Sequence, residues 1–124
     1  VLENRVHINA LGLLEINVIG NQTEESVRAM GLNISRCITQ LRASNRPVLV
    51  LDDLKKMGQT DSAARAEVAR LAKTLDFDRC AMMGDASPMM RYGTNLMLRA
   101  IGRSNVKFFA SRDAALMWLG VSGE

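Results

Sequence analysis

The sequence predicts an α/β domain, with one mixed β-sheet packed by about four α-helices in the order β-β-α-β-α-β-α-β-α, and residues 1–124 read as a single domain. Three observations carry this. Apolar and polar residues alternate through 6–10 and 14–19 with the period of a half-buried strand. Val27, Met30, Ile34, Cys37, Ile38 and Leu41 recur at helical spacing. The unbroken run Val48 to Leu51, opened by Pro47 and closed by Asp52 and Asp53, suits a strand covered on both faces. Strands separated by amphipathic helices imply parallel pairs with right-handed crossovers, and an initial hairpin makes the sheet mixed.

The elements follow in order. Leu11-Gly12 is the economical hairpin between the first two strands, and Gly20-Asn21-Gln22-Thr23 punctuates the chain. Thr23 is a suitable N-cap for a helix over about 24–43, whose first turn carries Glu24 and Glu25 where the helix dipole favours acids. After the central strand, 54–59 reads as a loop. Thr60 and Asp61 can cap a second helix with Ala64, Val68, Leu71 and Leu75 as its inner stripe. Cys80 to Gly84 is the next strand, and Pro88 fits the first turn of a third helix bearing Met90, Leu96, Met97, Ala100 and Ile101. Asn105 to Ala110 reads as the last strand, and Ser111 caps a short closing helix that ends in Met-Trp-Leu-Gly.

At 124 residues and 13.6 kDa the chain has room for one core. Hydrophobic residues at 48% and charged residues at 23% exclude disorder and collagen-like repeats. The net charge of +3 comes from basic residues scattered along the chain, 12 of them arginine, and only five residues are aromatic. Neither a basic stripe nor a base-stacking platform is present, so no nucleic-acid partner is expected. No apolar run approaches the ~20 residues of a membrane span, and the N-terminal VLENRVHINALG lacks a signal-peptide pattern, so a cytoplasmic protein is expected. Cys37 and Cys80 make neither a disulfide framework nor a metal-ligand pair.

No reaction announces itself. Both glycine-rich phosphate cradles, Gly-x-x-x-x-Gly-Lys-Ser/Thr and Gly-x-Gly-x-x-Gly, are absent. Asp52-Asp53 at a strand end resembles a phosphoacceptor position, but the first strand supplies no acidic pair to hold magnesium. His7 is the only histidine and reads as an exposed residue without a catalytic or structural role. In open α/β sheets ligands bind beyond the carboxyl ends of the parallel strands. Lys55 and Lys56 there can neutralise an anion while amides around Thr60, Ser62 or Ser87 hold its oxygens, and Met82, Met90 and Met97 can line a slot for an acyl chain. The plainer alternatives are that Thr60, Ser62, Ser87 and Ser111 only cap helices, at about 0.5–2 kcal/mol each, and that the methionines fill the core. Trp118 and Leu119 anchor the last helix or, alternatively, form a homodimer patch.

The C-terminal VKFFASRDAALMWLG resembles the signature of the SpoIIAA-like branch of the STAS superfamily, and RCAMMG resembles that family's preceding strand. The resemblance covers nearly the whole chain. It implies a mixed sheet packed by helices, related to anti-sigma-factor antagonists and to CRAL-TRIO lipid-transfer domains. In the antagonists a helix beginning Asp-Ser-Ser-Gly carries a phosphorylated serine. Asp61-Ser62-Ala63-Ala64 stands at the corresponding place here, which makes Ser62 the phosphorylation candidate, with alanines where the antagonists have their second serine and glycine. The expected function is therefore a non-catalytic binding or regulatory module for a small anionic or lipid-like ligand, without cofactor or metal. The alternative is a protein-interaction switch controlled at Ser62.

Overall fold

The computed structural model describes residues 3–84, 102 and 104–121. Strands β1 (Arg5–Ile8) and β2 (Leu14–Asn17) form the expected antiparallel hairpin. Its turn is closed by Asn9, whose Oδ1 accepts from the Leu11 and Leu13 amides at 2.9 and 3.1 Å, and by Gly12 at φ 80°, a backbone angle that L side chains rarely adopt. Parallel strands β4 (Leu49–Asp53), β6 (Arg79–Met83) and β7 (Val106–Phe109) extend the sheet in the order β1-β2-β4-β6-β7. The mixed sheet is as the sequence predicts.

Helix α1 (Glu24–Ala43) starts at a capping box in which the Ser26 amide donates to Thr23 Oγ1 and the Thr23 amide to Ser26 Oγ. Its Ile34, Ile38 and Leu41 pack on one face of the sheet against Leu14, Ile16, Val50, Cys80 and Val106. Helix α2 (Ser62–Thr74) lies against α1 through Val27, Ala64 and Leu71. Gly31 makes that approach close, since a Cβ there would stand 2.8 Å from Leu71 Cδ2. On the opposite face, α3 (Arg112–Leu119) buries Ala115, Leu116 and Leu119 against Leu51, Ala81 and Met83. Ser111 caps it as expected, and Gly120 ends it at φ 83°. Trp118 anchors this helix: its ring lies 5.5 Å from that of Phe109, and Arg79 sits over the indole while donating to the Trp118 carbonyl. The helix expected from Pro88 onward falls outside the described residues.

Three expectations are corrected. Residues 20–22 and 57–60 are not mere punctuation and loop but two short strands, β3 (Gly20–Gln22) and β5 (Met57–Thr60), paired in parallel as a second small sheet. Asn21 Oδ1 accepts the Gln59 amide at 2.9 Å. The buried Gln22 amide group bonds the Ile19 and Gly20 carbonyls and the side chains of Asn4 and Ser26. Polar side chains, rather than an apolar face, hold these strands. In α2 the inner position after Ala64 is Glu67, not Val68, which is 45% exposed; Glu67 keeps its charge paired with Arg70. Finally, Asp61 alone caps α2, accepting the Ala64 amide at 2.8 Å, so neither Thr60 nor Ser62 has the capping role.

Two glycine substitutions should separate close packing from helix propensity. A Cβ on Gly58 would meet Asn21 Oδ1 at 2.3 Å and backbone atoms of β3 at 3.1 Å, so Gly58→Ala should cost about 1–3 kcal/mol in urea denaturation. Gly31→Ala meets only the flexible end of Leu71 and gains about 1 kcal/mol of helix propensity, so its net cost should be the smaller. The reverse order would contradict the packing described.

Candidate functional site

The pairing of β2 with its neighbours decides where polar groups gather. Arg5 lies opposite Asn17 and Asn17 opposite Asp53; in the next row His7 lies opposite Glu15 and Glu15 opposite Leu51. Registered residues share a face. This is the face that α3 covers over β4 and β6, and across β1 and β2 it carries Arg5, His7, Glu15 and Asn17 instead of a core. These residues, with Val18, Ile19, Gly20, Asp53, Lys55 and Lys56, line a cleft of about 710 Å³.

Backbone bonds hold the lysine-bearing end in place. The Val18 amide donates to the Asp53 carbonyl at 3.0 Å and the Gly20 amide to the Lys56 carbonyl at 2.8 Å, so the chain leaving β2 runs beside the turn between β4 and β5. Asp53 Oδ1 accepts the Lys55 amide at 3.0 Å, which fixes that turn. Glu15 is held from two sides. Asn9 Nδ2 donates to Oε1 at 2.9 Å, and Arg112 at the start of α3 reaches both carboxylate oxygens at 3.3 and 3.5 Å. Burial by itself would raise the Glu15 pKa, but the Asn9 and Arg112 bonds and the nearby positive charge outweigh it and hold the carboxyl below its ordinary value. Arg5, Lys55 and Lys56 make no salt bridge among the described residues, and all three are exposed.

The sequence offered Lys55 and Lys56 as candidates to neutralise an anion, and both line this cleft. Thr60 does not; its carbonyl accepts from Arg65 at the start of α2. Ser62 is the first residue of α2 and is exposed. Met82 is on the other face, half-buried against the α1 core, so it does not meet the lysines. Ser87, Met90 and Met97 lie outside the described residues. Sequence reasoning missed Arg5, Glu15 and Asn17 and read His7 only as exposed. The signal was present in the polar half of the alternation at 5, 7, 15 and 17.

Asp52 faces the other way, toward the α1 side. Its sheet neighbours there are Ile16 and Met82, and its Oδ1 is sealed from solvent without a hydrogen-bond partner. Burial first, and the adjacent Asp53 charge second, push its pKa up to about 7. Among the described residues no three His, Cys, Asp or Glu side chains converge to hold a metal, and no helix is long and apolar enough to cross a membrane.

Comparisons with known proteins agree with this architecture. The sequence model of the family described as SpoIIAA-like matches residues 13–120. A crystal structure of an uncharacterized protein of the DUF3478 family with a SpoIIAA-like fold, from Shewanella loihica PV-4, superposes with a TM-score of 0.70 at 18% identity, covering 94% of this chain and 93% of that one. The anti-sigma factor antagonist SpoIIAA in its unphosphorylated form superposes with a TM-score of 0.56 at 14% identity, covering 92% and 94%. No curated protein matches the chain.

The Asp52 carboxyl generates a pH-dependent stability. In the unfolded chain it titrates near its ordinary 3.8 and in the folded one near about 7. Below the first value both states are protonated and stability is undiminished. As pH rises toward the second, the unfolded state loses its proton first and stability falls, and above it the loss is complete, a few kcal/mol at most. Asp52→Asn should therefore melt above the wild type at about pH 8, with the gap closing steadily toward about pH 4. A gap independent of pH would show that Asp52 is ionised in the fold.

Proposed function

The chain belongs to the SpoIIAA-like family, and from that premise we propose that it is a non-catalytic binding module whose ligand is a small anion held in the β1–β2 cleft. The observation that supports this reading is the gathering of Arg5, Lys55 and Lys56, none of them in a salt bridge among the described residues, around one cleft. Of the two acids of the same cleft, Glu15 is paired with Arg112 and bonded by Asn9, and Asp53 accepts the Lys55 amide of the turn, with lone pairs remaining on both carboxylates. The cleft size falls within the ~300–1,000 Å³ usual for small-molecule sites. Met82 lies on the far side of the sheet, so the reading favours the charged part of the expected ligand over an acyl chain.

Titration calorimetry with inorganic phosphate at low ionic strength tests it. Saturable binding is expected, weakened by added salt. The Lys55→Ala/Lys56→Ala variant should bind roughly 30-fold more weakly, at about 1 kcal/mol for each exposed charge removed. Absence of binding by the wild type removes the reading.

A second reading, a phosphorylation-controlled interaction switch, draws on one observation. Ser62 is exposed at the first position of α2, and because Asp61 does the capping its hydroxyl makes no hydrogen bond among the described residues. A phosphate there would add about 1.5–2 negative charges at a helix N-terminus. Intact-mass analysis of the protein from its own host should then find one added phosphate, lost in Ser62→Ala; a phosphate mapped elsewhere, or none under any growth condition, counts against the switch.

A further inference from the structure

Building on the anion-binding reading, we infer that the cleft takes a phosphorylated, hydroxyl-rich small molecule of the sugar-phosphate class, with the phosphate at the Lys55–Lys56 end and the hydroxylated body over His7, Glu15 and Asn17. The placement comes from the register. Asp53 ends β4, and Lys55 and Lys56 follow it in the turn, so the cationic rim adjoins the row of Arg5, Asn17 and Asp53. The row of His7 and Glu15 lies two residues further in. At about 3.3 Å per residue along a strand and about 4.8 Å between strands, the floor is roughly 10 Å wide along the outer row, roughly 5 Å along the inner one, where Leu51 is covered by α3, and roughly 7 Å from row to row. That accommodates a phosphate and a five- or six-carbon body side by side.

The chemistry of the floor distinguishes a polyol from an alkyl chain. Each hydroxyl both donates and accepts. The carboxylates of Glu15 and Asp53 accept, the Asn17 amide does both, and the His7 imidazole adds a ring N–H donor. Glu15 is held by Asn9 and Arg112 in a fixed position, so an acceptor stands ready without the cost of ordering it. Val18 touches the cleft but its side chain is buried in the core beneath α1, which leaves Ile19 as the other apolar residue of the lining. An alkyl chain laid across this floor would strand the four polar groups without water, each at roughly a tenfold loss in affinity, whereas hydroxyls replace the lost water bonds.

Three ligands compared by titration calorimetry at one pH and low ionic strength test the class: inorganic phosphate, ribose 5-phosphate and octyl phosphate. Ribose 5-phosphate should bind about tenfold or more tighter than inorganic phosphate, and octyl phosphate no tighter than inorganic phosphate. His7→Ala, at an exposed position, should reduce the ribose 5-phosphate advantage while leaving the affinity for inorganic phosphate within about twofold. Equal affinities for all three, or octyl phosphate as the tightest, overturn the sugar-phosphate assignment while the anion reading stands. Failure of all three to bind overturns both.

Discussion

The pairing of β2 with β4 is the constraint on which the rest of the molecule depends. It joins the antiparallel hairpin to the parallel strands, and it sets which side chains of the hairpin share a face with those of β4. On one side it aligns Ile16 with Asp52 and Leu14 with Val50, beneath α1. On the other it aligns Glu15 with Leu51 and Asn17 with Asp53. A slip of one residue would put Glu15 and Asn17 under α1 and Leu14 and Ile16 into water, so the register has no near alternative. The amides of Val18 and Gly20 carry the same alignment past the end of the strand, and this brings the lysine turn to the hairpin.

That register divides one face of the sheet into two chemistries. Over β4 and β6 the face is apolar and takes α3; over β1 and β2 it is polar and forms the cleft. Arg112 stands at the seam. It belongs to the first turn of α3, yet its guanidinium bonds Glu15 on the polar side. The start of the closing helix and the floor of the cleft are thus joined by one ion pair. Asp52 marks the corresponding point on the opposite face, where the strand runs out of apolar residues before it leaves the covered region.

Much of the fold was legible from periodicity. Helix 24–43 and the strands of the main sheet have long or regular patterns, and their caps, Thr23 and Ser111, are chemically explicit. The short strands β3 and β5 were not legible because polar side chains such as Asn21 and Gln22 secure them, leaving no apolar alternation to read. In α2, positions 67 and 68 are both compatible with the inner stripe, and hydrophobicity favoured Val68. The structure buries Glu67 because Arg70, one turn on, keeps its carboxylate paired. For the cleft, the rule about strand ends found Lys55 and Lys56. Arg5, Glu15 and Asn17 depended on which part of the face α3 covers, a contact between residues nearly a hundred positions apart.

The position of β1 at the margin of the sheet has a consequence for solubility. Its outer backbone groups are a ready template for a strand from another molecule, the usual route to fibrillar or sheet-to-sheet association. The strand is only four residues long, and its exposed positions are Arg5 and His7. A second copy adding there in parallel register would set its own like-charged arginine beside Arg5. The residues that furnish one wall of the cleft thereby also act as gatekeepers against aggregation, so exchanging Arg5 for an apolar residue would remove a cation from the cleft and a safeguard from the sheet margin together.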